Sequence, residues 1–184
     1  AMVRTVHGLD PAELPASIPL PRPVSFPWWD FDTLLERVDE AIDAPARLGL
    51  AMTIERHRGW QDIDGAVVCH GDVHPGNVLM TLEGPVLIDW DLLCWAPPGW
   101  DHGPMVSWAR RWGGDPDDYA AFAAGYGRNL ADDDATSAFA ELRLVAATLL
   151  RLAAALRDPA AMPEAQRRLA YWRDDPDAPM WTAQ

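Results

Sequence analysis

Apolar residues recur at helical spacing through Phe31, Leu34, Leu35, Val38, Ala41 and Ile42, with Asp30 placed to cap the turn that begins them. Trp29, just before that cap, is positioned to staple onto Leu34. A second helix is predicted from about Pro45 to His57, stopped by Gly59. The period then shortens. Apolar runs at 66–70, 78–81 and 85–90 predict three strands, the last two joined by a tight turn at Glu83-Gly84. Beyond them the helical period returns. Pro104 to Trp112 predicts a short helix broken by Gly113-Gly114, and Asp115-Pro116 opens another toward Tyr126. Asp134 caps a long helix to about Leu156, in which Phe139, Leu142, Ala146, Leu149, Ala153 and Leu156 follow a 3-4 repeat. Leu144, Val145, Leu150 and Leu152 widen that stripe, which predicts a central helix. Pro163 starts a last amphipathic helix through Leu169 and Trp172. The pattern is that of a mainly helical α+β fold around a small β element.

The ends read differently. Pro11 to Pro27 holds six prolines and little periodicity, a stiff extended connector. The expected organisation is a Pro-rich connector over 1–30, a helical lobe over 31–175 and a tail over 176–184. Ala1-Met2 reads as a tag scar outside the fold. At 184 residues and 49% hydrophobic, the chain can bury a substantial core. Cys69 and Cys94 lie in or beside apolar stretches and read as buried thiols of a reducing compartment. The most apolar stretch, around Leu142 to Leu156, contains Arg143 and Arg151 and reads as core helix, so no membrane span is expected and the cytoplasm is the expected location. A net charge of −13 argues against nucleic acid as a partner.

The candidate chemistry sits on the β element. His70-Gly71-Asp72-Val73-His74-Pro75-Gly76-Asn77 leaves the first strand, and Ile88-Asp89-Trp90-Asp91 ends the third. Phosphoryl transfer from ATP needs an acceptor for the substrate hydroxyl's proton and oxygen ligands for Mg²⁺. An Asp and an Asn five positions apart, followed by a strand-end Asp, supply both in the order that protein kinases use.

The runs CHGDVHPGNVLM (Cys69 to Met80) and VLIDWD (Val86 to Asp91), with a looser match at Trp100-Asp101-His102-Gly103, resemble the aminoglycoside phosphotransferase family, which includes kinases of choline and other small metabolites. The resemblance implies the C-terminal lobe of a protein-kinase-like fold, with a β-hairpin element carrying the catalytic loop. It implies Asp72 as catalytic base, Asn77 and Asp89 as Mg²⁺ ligands with Asp91 as an additional candidate, and ATP as the nucleotide. His70 would pin the loop through backbone, Asp101 would anchor the helical core, and His74 would either touch a phosphate or order the loop. The partner it implies is a small molecule bearing a hydroxyl.

All 15 cationic residues are Arg, so the lysine that grips the phosphates in such kinases is absent, as is a G-x-G-x-x-G loop. A missing N-terminal lobe is therefore expected to supply them, with this chain inactive alone. Val3 to Leu9 resembles the end of a helix from that lobe.

Two other readings stay open. His70, Asp72, His74 and Asp89 could instead form the Zn²⁺ or Mn²⁺ centre of a hydrolase, or the chain could be a kinase-like module that binds without transferring. The acid groups Asp115, Asp117, Asp118 and Asp132–Asp134 fall at predicted helix starts, where the helix dipole accounts for them, though a pocket for a polyamine is a further use. Of the ten tryptophans, Trp108, Trp112 and Trp172 are expected in the core, and Trp28, Trp90, Trp95 and Trp100 nearer the site.

Overall fold

The structure is a computed structural model that describes residues 1–62 and 64–182. In chain order it has α1 (Met2–His7), α2 (Phe31–Val38), α3 (Ala44–Arg56), β1 (Val67–Cys69), β2 (Val78–Thr81), β3 (Gly84–Leu87), β4 (Cys94–Ala96), α4 (Gly99–Arg111), α5 (Asp118–Tyr126), α6 (Asp134–Ala155) and α7 (Met162–Trp172). The mainly helical α+β architecture read from the periodicity is present.

Helix α6 is the axis of the molecule. Leu142, Val145, Leu149 and Leu152 on it are fully buried, with Phe139 at 1% exposure. Around them close Trp100, Leu50, Leu169 and an aromatic group of Trp29, Trp60 and Phe139. Asp133 caps α6, its Oδ1 accepting from the Ala135 and Thr136 amides at 3.1 and 3.4 Å, one residue earlier than the Asp134 expected. Helix α4 lies directly on α6. A Cβ on Gly99 would stand 2.6 Å from the Thr136 nitrogen, and one on Gly103 2.8 Å from the Ala140 nitrogen. Two glycines four residues apart on one face thus let the two backbones touch.

Two elements depart from the expectation. Helix α4 begins at Gly99 rather than Pro104, so Pro104 lies inside it. As the sixth residue of the helix it has no N–H to give the Trp100 carbonyl, so one bond of the ladder is lost in the second turn. Strand β4 was not foreseen, because three residues carry too short an alternation to register. It pairs antiparallel with β1, setting Cys69 opposite Cys94, while β2 and β3 form a separate hairpin. Both thiols are free and buried, and burial raises their pKa values.

The two ends are also held. In α1, Val3 and Val6 are buried, Val3 packing with Val73, Leu87 and Met105 beneath the hairpin. Near the other terminus Trp181 is buried, and its amide bonds the Arg111 carbonyl at 2.6 Å. Residues 183–184 of the expected tail lie outside the described residues.

Candidate functional site

The loop His70–Asn77 folds as it does because Asp101 organises it from behind. This carboxylate is fully buried and accepts from the His70 amide at 2.9 Å, the Gly71 amide at 2.8 Å and His7 Nε2 at 3.0 Å. Those three donors stabilise a charge that burial alone would make costly. His7 in turn meets the Tyr126 hydroxyl through Nδ1 at 2.9 Å. Helix α1, which the resemblance placed only as the end of a helix from another lobe, is therefore part of the scaffold of the loop.

Gly71 has φ +96°, and a Cβ there would fall 2.0 Å from the Leu92 carbonyl oxygen. Only glycine passes that point. His70 then fixes the loop's direction. Its Nδ1 accepts from the Asp72 amide at 3.2 Å, which leaves Nε2 carrying the proton donated to the Ile88 carbonyl at 2.9 Å. This ties the loop to the strand end that carries Asp89.

Asp72 lies where the loop opens, its side chain 30% exposed. Asn77 Nδ2 donates to the Asp72 carbonyl at 2.9 Å and to its Oδ2 at 3.3 Å. With that amide nitrogen committed, Oδ1 is the Asn77 atom turned to other uses. The Asn77 carbonyl accepts from the Ile88 amide at 3.0 Å, so Asp89 begins one residue past Asn77's cross-strand neighbour. Asp89 is exposed and holds φ +64°, a left-handed conformation uncommon outside glycine. The strand expected over 85–90 is shorter, since β3 stops at Leu87 and Asp89 stands in the turn beyond. Asp91 is exposed in the same turn.

Arg143, on α6, is the functional residue that sequence reading missed. Its Nη1 donates to Asp72 Oδ1 at 3.3 Å and its Nη2 to the Gly71 carbonyl, and the guanidinium lies over Trp28 and Trp100, each at 5.3 Å. Within an apolar helical stripe it reads only as an interruption, and the partner that explains it is 71 residues away. Burial pushes the Asp72 pKa up, but the hydrogen bond from His74 and the charge of Arg143, with the His74 and His70 rings acting in the same direction, outweigh it and hold the carboxyl below its ordinary range. Burial lowers the Arg143 pKa, with Asp72 opposing. Asp72 is an ionised acceptor at neutral pH.

His74 stands 3.5 Å from Asp72 Oδ2, stacks on Trp108 at 5.3 Å, and accepts from the Gly76 amide through Nδ1. Asp72, His74 and Arg143 open onto a cleft of about 740 Å³ between α4 and α6, a size suited to a small organic ligand. Trp28, Trp108 and Trp112 line it. The latter two had been expected in the core, against which Trp112 does pack, while Trp100, expected nearer the site, is fully buried against Arg143.

The hydrolase constellation is not assembled. Both His70 nitrogens are engaged within the loop, and His70, Asp72, His74 and Asp89 do not converge. Among the described residues, the one such convergence of His, Cys, Asp or Glu ligand atoms is His7, Cys69 and Asp101, where Asp101 already serves the loop amides. Asn77 Oδ1 and the exposed Asp89 carboxylate, brought to neighbouring positions by the Ile88–Asn77 backbone bond, would offer oxygen donors only, the ligand type that suits Mg²⁺.

Among the described residues no helix is long and apolar enough to cross a membrane. Residues 1–139 match the family described as "Phosphotransferase enzyme family". The fold is similar to that of spectinomycin phosphotransferase APH(9)-Ia in complex with ADP and spectinomycin (TM-score 0.61, 21% identity) and in its AMP-bound complex (TM-score 0.59, 19% identity). LicA in complex with AMP is also similar, with a TM-score of 0.50 and 16% identity. The alignments cover 92%, 96% and 93% of this chain but 58%, 60% and 60% of those. The chain thus spans about three fifths of their length. No curated protein matches.

Proposed function

Because the chain belongs to the phosphotransferase enzyme family, we propose that it is the catalytic-loop lobe of an enzyme that moves the γ-phosphate of ATP to a hydroxyl of a small molecule. The observation that carries this reading is the junction of Asp72 and Asn77, 3.3 Å apart, beside the strand end that bears Asp89 and at the mouth of a ligand-sized cleft. The nucleotides named in the similar structures support a nucleotide substrate.

Asp72 faces the cleft, so an acceptor hydroxyl there donates a hydrogen bond to its carboxylate and passes its proton to it as the new P–O bond forms. The charge of Arg143 helps keep that carboxylate ionised, and Asn77 aims it through Nδ2. Asn77 and Asp89 are the residues that would hold Mg²⁺, with Asp91 in reach of the same turn; the ion supplies charge neutralisation along the phosphates. His70 and Asp101 position the loop and touch no substrate. A further lobe provides the cationic grip on the nucleotide that a lysine-free chain lacks.

The test is phosphoryl transfer by the protein complete with that lobe, screened against hydroxylated metabolites and antibiotics with ADP release as readout. Asp72→Asn is expected to lower kcat by about 10²–10⁴-fold with nucleotide binding retained. Undiminished turnover in that variant would remove Asp72 from the chemistry.

A further inference from the structure

The chain carries −13, yet a second, smaller pocket is cationic. It opens where α4, α6 and α7 meet, with a volume of about 220 Å³, and Ser107, Arg110, Arg111, Glu141, Leu144 and Tyr171 line it. Ser107 and Leu144 also line the cleft onto which Asp72 opens, so the two cavities share a wall. The acids at the starts of α5 and α6 line neither, which corrects the polyamine pocket considered for them.

Arg111 is held in place without being neutralised. Its guanidinium lies over the Tyr171 ring at 4.4 Å, and its carbonyl accepts from the Trp181 amide. Its Nη1 is buried and has no hydrogen-bond partner among the described residues, a costly state for a charged donor. Arg110 beside it is exposed, and among the described residues no acid pairs with either arginine. The one acid lining the pocket is already engaged, since Glu141 Oε2 accepts from Arg56 Nη1 at 2.9 Å and from His57 Nε2 at 2.8 Å. The dipole of α4 favours basic residues in its last turn. It does not account for a buried donor that lacks an acceptor.

We propose that this pocket binds a phosphate group, as the free ion or as a small phosphate monoester, with Arg110 and Arg111 as its ligands. A guanidinium presents paired N–H groups that match phosphate oxygens, and the buried Nη1 gains the acceptor it lacks. Two cations side by side are offset by two charges on one compact group, which a carboxylate does not carry. The volume lies below the roughly 300 Å³ at which pockets for drug-sized ligands begin, so the ligand is compact. Neither arginine lines the Asp72 cleft, so the proposal stands apart from the transfer reading.

The test is an NMR titration of this chain, following the arginine side-chain Nε–H signals, at about pH 7.5, where a phosphate monoester is close to a dianion, and in 0.15 M salt to screen diffuse attraction. Inorganic phosphate is expected to shift the Arg110 and Arg111 signals saturably, with acetate binding at least about tenfold more weakly, the scale of one charge-assisted contact. Arg111→Gln, checked for an unchanged melting profile, and Arg110→Gln, which alters an exposed side chain only, should each weaken phosphate about tenfold. Glycerol 3-phosphate binding as tightly as phosphate identifies a monoester as the source of the group, and its exclusion identifies the free ion. No saturable shift, shifts centred on Arg143 and Arg168 instead, equal binding of acetate, or phosphate affinity unchanged in Arg110→Gln would each overturn the proposal.

Discussion

Replacing Arg143 with methionine, which keeps the stem and removes the charge, tests the link between α6 and the catalytic loop. At 3.3 Å and an effective dielectric of about 20, the Arg143–Asp72 attraction is about 5 kcal/mol. Burying the guanidinium offsets more than half of this, and the carboxylate's 30% exposure screens it further. A coupling of about 1–2 kcal/mol remains. The assay is a double-mutant cycle of Arg143→Met and Asp72→Asn by urea unfolding at pH 7. Arg143→Met alone is expected to cost more, about 2–4 kcal/mol, because it also deprives the Gly71 carbonyl of its donor and removes the guanidinium from the faces of Trp28 and Trp100. A carboxyl-carbon NMR titration should show the Asp72 pKa rising in Arg143→Met, as one of the charges that depress it is gone. Additivity within about 0.3 kcal/mol with an unmoved Asp72 pKa would refute the pairing.

Two other predictions concern the scaffold. Gly103→Ala places a methyl 2.8 Å from the Ala140 nitrogen and should cost about 1–3 kcal/mol by overpacking, a fall in Tm of roughly 2–4 °C for each kcal/mol. Wild-type stability in that variant would mean that α4 and α6 are not in backbone contact. His102 is fully buried, and burial, with the neighbouring His7, lowers its pKa to about 4. Because the unfolded chain binds this proton more readily, stability is lost as pH falls from about 6.5 toward 4, by up to about 3 kcal/mol. His102→Phe should flatten that part of the pH profile of urea unfolding relative to wild type, and an unchanged slope would assign it to other groups.

Local patterns made the helices, the hairpin and the loop motif legible, because each is carried by residues a few positions apart. What holds the loop in place was not. Asp101 meets His7 across 94 residues and Arg143 meets Asp72 across 71, and no period along the chain encodes such pairings. Pro104 read as a helix start because proline favours first turns, but the helix begins five residues earlier at Gly99 and carries Pro104 inside it. The tryptophans were misassigned for a related reason. Trp108 and Trp112 sit at core-like spacing on α4, and only the gap between α4 and α6 turns that stripe into the wall of a cleft. Asp89 was expected at the end of a strand, whereas it lies beyond β3 in a left-handed backbone conformation that no apolar period encodes.

The account's central claim is that Asn77 and Asp89 share a cation beside Asp72. Paramagnetic broadening by Mn²⁺ with ADP, followed on the side-chain amide of Asn77 and the carboxyl signals of Asp89 and Asp72 in this chain, tests it most directly. The account predicts that Asn77 and Asp89 broaden first and that Asp89→Ala abolishes the effect at Asn77; broadening centred on His7 and Asp101, or broadening at Asn77 that survives Asp89→Ala, would contradict it.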